Sequence, residues 1–102
     1  MDKLDITPQE REIVCWILRK NVPQHAVWAF GSRVNGTARM YSDLDLAVIG
    51  NRPLPLAVHA ALKGDFSQSD LPWKVDIVDW GVIGPEFRNI ILRQYRVFQE
   101  AV

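Results

Sequence analysis

Cysteine is nearly missing from this sequence, histidine, tyrosine and methionine occur only twice each, and neither sign of charge is in excess. The lone Cys15 excludes an internal disulfide and any metal site built from several thiolates. It stands in the apolar run Ile13–Leu18, where a buried structural thiol is expected. No apolar run approaches the roughly 18 residues that span a bilayer, and the opening MDKLDITPQERE is too acidic for a secretory signal. A soluble protein of a reducing compartment, the cytoplasm, with no membrane association is the expectation. Twelve Lys plus Arg balance twelve Asp plus Glu. The balance argues against a nucleic-acid module driven by a strong overall basic field, though local patches stay open. It also leaves little self-repulsion to oppose homo- or hetero-oligomers.

What is present is ordinary globular composition, 48% hydrophobic and 24% charged, over 102 residues. That length fits a single domain over residues 1–102, with no second domain to enclose a substrate. The four tryptophans are read as packing residues before nucleobase platforms.

Thr7-Pro8-Gln9-Glu10 carries a helix start: a Thr cap, Pro at the first helical position and Glu completing a capping box. The spacing predicts a helix to about Lys20 with Ile13, Trp16, Ile17 and Lys20 on one face. Strands are predicted at 26–30, 43–49 and 74–79, a turn or two of helix within 31–42, and a crossover helix from Leu54 to about Phe66. From Glu86 to about Glu100, Phe87, Ile90, Ile91, Tyr95 and Phe98 fall near one helical stripe, with Leu92 and Val97 at its edges as a partner surface or as ordinary exposed residues. The expected fold is α/β (α+β): a small mixed sheet of three or so strands packed by helices, in the order α-β-α-β-α-β-α.

The second and third strands are separated by 24 residues that include a helix, long enough for a parallel pair. Their starting ends then lie side by side. Asp43 and Asp45, two residues apart, point to one face, and Asp76 stands near the start of the third strand. If the first strand runs antiparallel to the second, Gly31 and Ser32 close onto the same edge. Three converging carboxylates repel unless cations neutralise them, and magnesium, hard and oxygen-seeking, is the expected ion. Two such ions about 4 Å apart can clamp the attacking and leaving oxygens of a phosphoryl transfer. Gly31 permits close backbone approach to a phosphate, and Ser32 adds a donor. Arg33 is a candidate phosphate contact and Arg39 a weaker one. Asp79 falls on the opposite face from Asp76, so solvated or capping duty is expected of it. His25 and His59 match no pattern.

Phe30-Gly31-Ser32, ten residues, then Asp43-Leu44-Asp45-Leu46 resembles the signature of the DNA polymerase β-like nucleotidyltransferase superfamily. GSRVNGTARMYSDLDLAV is similar to its minimal, MNT-type branch, and the likeness covers most of the chain. The resemblance implies that Asp43 and Asp45 bind magnesium, that Asp76 is the third carboxylate, and that Gly31 and Ser32 hold a triphosphate. It also implies ATP as substrate and a HEPN-family toxin as partner, with AMP passed to a toxin tyrosine by an antitoxin of this type. Two other readings stand beside it: a non-catalytic module that neutralises its partner by occlusion, and an enzyme modifying a small molecule or an RNA end.

Overall fold

The computed structural model describes residues 4–101. Helix α1 (Pro8–Asn21) begins on the anticipated capping box, with the Thr7 amide donating to Glu10 Oε1 at 2.8 Å and the Glu10 amide to Thr7 Oγ1 at 3.1 Å. Then follow β1 (Ala26–Phe30), the single-turn α2 (Ser32–Asn35), β2 (Leu44–Ile49), α3 (Leu56–Ser67), β3 (Val75–Asp79), α4 (Pro85–Arg93) and β4 (Tyr95–Gln99). The sheet order is β3-β2-β1-β4, with β2 and β3 parallel and β1 antiparallel to both β2 and β4.

Alternation along each strand sorts the side chains onto two faces. Val27, Ala29, Leu44, Leu46, Val48, Ile77 and Phe98 join Val14, Ile17 and Leu18 of α1 and Leu62 and Phe66 of α3 in the main core. On the other face Phe30 and Ala47 meet Ile91 of α4, bordered by Trp28, Val78, Trp80 and Tyr95. The sheet is thus a two-sided wall. One face is sealed by two helices and the other is covered by the nine residues of α4.

Three expectations need correction. The final helix stops at Arg93 and the chain returns as a fourth strand, so the order is α-β-α-β-α-β-α-β. Tyr95 and Phe98 fit a helical stripe by spacing, yet they end on opposite faces of the sheet, Tyr95 beside Trp28 and Phe98 in the main core. Pairing with β1 satisfies backbone groups that a continued helix would leave at a bare sheet edge. On α1 the buried side is Val14, Ile17 and Leu18, while Trp16 is 64% exposed and lies beside Lys20, whose Nζ is 5.3 Å from the ring centroid. Cys15 is half-buried against the core rather than enclosed.

Candidate active site

The register of the sheet assembles the site. Phe30 pairs with Asp45 across the antiparallel β1/β2 ladder, and Asp45 pairs with Asp76 across the parallel β2/β3 ladder. Tyr95 pairs with Phe30 from the other side, giving one transverse row, Tyr95–Phe30–Asp45–Asp76, on the face that carries α4. Asp43 is exposed and lies two residues before Asp45, just ahead of β2.

Asp45 feels the other two carboxylates. Asp45 is half-buried, and its carboxyl is pushed up to about 6, first by burial, then by the charges of Asp76 and Asp43. Among the described residues, no three carboxylate, histidine or cysteine side chains are already closed around one ion-holding point. Mutually repelling anions are expected to stand apart until a cation draws them in. The donor set is all oxygen, the set a hard divalent cation selects.

Gly31 closes β1 against this row. Its φ of +81° lies where side chains are rarely tolerated, and a Cβ there would overlap Asp45 Oδ2. The glycine therefore lets the backbone turn lie directly on the carboxylate. Helix α2 starts at the next residue with no side-chain cap, so the first-turn amides near Ser32 are not claimed by one. Around it Asp43 and Asp76 are exposed and Asp45 is half-buried. A hollow of about 450 Å³ lies elsewhere, between α1 and α3, lined by Ile13, Trp16, Asp65 and Asp70.

Arg33 departs from its expected phosphate role. Its side chain is buried, with Nε donating to Ser42 O at 3.0 Å, Nη1 to Asp5 O at 2.9 Å, and Nη2 to Met40 O at 3.0 Å and Arg39 O at 3.3 Å. The guanidinium also lies 4.6 Å from the Trp73 ring centroid. Four of its five N–H donors are thus spent on backbone carbonyls. Arg39 is exposed on the loop leading to Asp43.

Asp79 has the capping duty foreseen for it, but not the solvation. It is buried and accepts from the Leu54 amide at 2.8 Å and the Gly81 amide at 3.1 Å, tying together the loops after β2 and β3. The sequence reading missed the apolar flank of the row. Phe87 of α4, 37% exposed, meets Phe30 edge-on with ring centroids 6.0 Å apart. Only the pairing of Phe30 with Asp45 puts that flank beside the carboxylates.

Comparison with known proteins agrees with this geometry. The nucleotidyltransferase domain family matches residues 11–101. A probable protein adenylyltransferase MntA of Haemophilus influenzae is 52% identical over 98 residues, 96% of this chain and 86% of that one. A crystal structure of a toxin–antitoxin with AMP-PNP superimposes with a TM-score of 0.74 at 25% identity, covering 89% of this chain and 73% of that one. The fold is also that of the MNT antitoxin bound to tri-AMPylated HEPN toxin of Shewanella oneidensis, with a TM-score of 0.67 at 22% identity over 91% of this chain and 71% of that one. With the glycine turn seated on a row of carboxylates and the family match spanning nearly the whole chain, this protein belongs to the nucleotidyltransferase domain family.

Proposed function

We propose that the protein is a magnesium-dependent adenylyltransferase that moves AMP from ATP to a hydroxyl, a tyrosine of a HEPN-family toxin, and thereby acts as its antitoxin. The observation that carries the reading is the placement of Asp45 and Asp76 in one register row, with the Gly31 turn lying on Asp45. The relatives named for adenylyl transfer and for toxin–antitoxin complexes supply the substrate and the partner.

Asp43, Asp45 and Asp76 are the residues that would hold magnesium, which when bound neutralises their repulsion and the charge developing on the triphosphate. The amides at Gly31 and Ser32, with the Ser32 hydroxyl, hold the phosphates. The acceptor oxygen attacks the α-phosphorus, a new P–O bond forms as the bond to the β-phosphate oxygen breaks, and pyrophosphate leaves. Asp76, exposed at the start of β3, takes the acceptor's proton. Asp43 and Asp76 are exposed, so the partner's own surface completes the site's enclosure.

Incubation with α-labelled ATP, magnesium and a HEPN-family toxin tests the reading. Label should move to the toxin and vanish with Asp45→Asn. An unlabelled toxin, still neutralised by the Asp43→Ala, Asp45→Ala double variant, would establish inhibition by occlusion instead.

A further inference from the structure

We infer that Arg33 is a positioning residue for the carboxylate site: with Trp73 it ties down the two chain segments that carry Asp43 and Asp76. The inference rests on the metal-binding reading above and assigns Arg33 no contact with nucleotide.

The connections form a closed circuit. Arg33 Nε holds the carbonyl of Ser42, the residue before Asp43, and Nη2 holds the carbonyls of Arg39 and Met40 in the same loop. The guanidinium carbon lies over the ring of Trp73, which leads into β3. The circuit closes where the Leu44 amide, next to Asp43, donates to Lys74 O at 2.9 Å, next to Trp73. A second tie runs to the chain ahead of α1: Arg33 Nη1 donates to Asp5 O at 2.9 Å, and the Asp5 amide donates back to Arg33 O at 2.8 Å.

A buried cation loses its hydration, and here four carbonyl dipoles and an aromatic face replace it. The geometry requires arginine. Its planar fork reaches the carbonyls of Asp5 and of the 39–42 loop at once, whereas a lysine ammonium is a single point with three donors. The loop before β2 has no ladder of its own, and Asp43 on it shares a Coulombic repulsion with Asp45. Left untethered, the loop relaxes by swinging Asp43 outward. Held by its carbonyls, it keeps Asp43 within reach of a shared cation, as outer-shell partners do for metal ligands.

The test uses the full-length, nucleotide-free protein with Mn²⁺ as a probe for the magnesium site. Wild type should bind Mn²⁺ and Asp45→Asn should not. Arg33→Lys should keep a cooperative melt yet bind Mn²⁺ at least about tenfold more weakly, with faster amide exchange at Leu44. Trp73→Leu should shift affinity in the same direction by less. In the transfer assay the Arg33→Lys defect should be recovered by raising magnesium, with KM for ATP unchanged at saturation. Wild-type Mn²⁺ affinity in folded Arg33→Lys and Trp73→Leu would overturn the inference and leave the metal site standing. A raised KM for ATP with unaltered Mn²⁺ affinity would return Arg33 to the phosphates. A wild-type protein that binds no Mn²⁺ through Asp45 would remove the metal-binding reading itself, and this inference with it.

Discussion

Asp45 and Asp76 face each other across the parallel ladder of β2 and β3, and burial of Asp45, with the charges of Asp76 and Asp43 beside it, raises the cost of ionising it. Two carboxylates in one row oppose the fold whenever both are charged, so the pair stores a repulsion that a bound cation releases.

The pH dependence of stability follows with a definite sign. The folded state holds the Asp45 proton more tightly than the unfolded chain does, at about 6 against an ordinary 3.8. That stabilisation is fully present below about pH 4 and is lost as pH rises through about 6. In metal-free buffer the thermal midpoint should therefore fall across this window, and magnesium should restore it at neutral pH. Asp45→Asn should flatten the profile. It should also cut transfer by more than the about 100-fold that losing an outer-shell partner costs at a metal site. Melting curves from pH 4 to 8, with and without magnesium, check this; a midpoint that rises with pH would contradict the repulsion.

Gly31→Ala tests the close approach at the turn. The added Cβ collides with Asp45 Oδ2 and forces a positive φ on a residue that resists it. The strain alone should cost about 1–3 kcal/mol. Displacement of Asp45 should abolish transfer beyond what the lost stability explains. Gly36→Ala is the control, with a similar φ of +87° but open space around its Cβ. It should lose comparable stability and keep activity per folded molecule, as paired denaturation and label-transfer assays would show.

Asp79 separates structure from chemistry on the strand that also carries Asp76. Asp79→Ala leaves the Leu54 amide without its buried acceptor, a loss of about 1–3 kcal/mol. Mn²⁺ affinity of the folded fraction should stay at the wild-type level. Urea unfolding with metal titration at low temperature decides it; a loss of metal binding would draw Asp79 into the site.

The convergence of the candidate site residues was more legible in the sequence than the wall behind them. The sites of Gly31, Asp43, Asp45 and Asp76 follow from local spacing: a glycine ending one apolar run, an alternation starting the next, and a connection long enough for a parallel crossover. The inward turn of Arg33 was not legible because its four carbonyl partners lie on two separate stretches of chain, Asp5 and the 39–42 loop, and no local pattern announces a buried guanidinium. The last strand was hidden for a different reason. Residues 95–98 carry aromatics at a spacing compatible with a helix, and only the open edge of β1 decides for a strand.

Phe98 and Trp16 test that correction together. Phe98 is buried in the main core from β4, with the Arg11 guanidinium 4.8 Å from its ring centroid, whereas Trp16 points outward from α1. Phe98→Ala should cost about 3–5 kcal/mol, because it empties a packed site and loosens the edge strand. Trp16→Ala should stay within about 0.5 kcal/mol of wild type, as surface changes do. Had the C-terminal segment continued as a helix with α1 buried along Ile13, Trp16 and Ile17, the heavy penalty would fall on Trp16. Chemical denaturation of the two variants separates these arrangements, and a tryptophan variant as damaged as the phenylalanine one would reject the packing of α1.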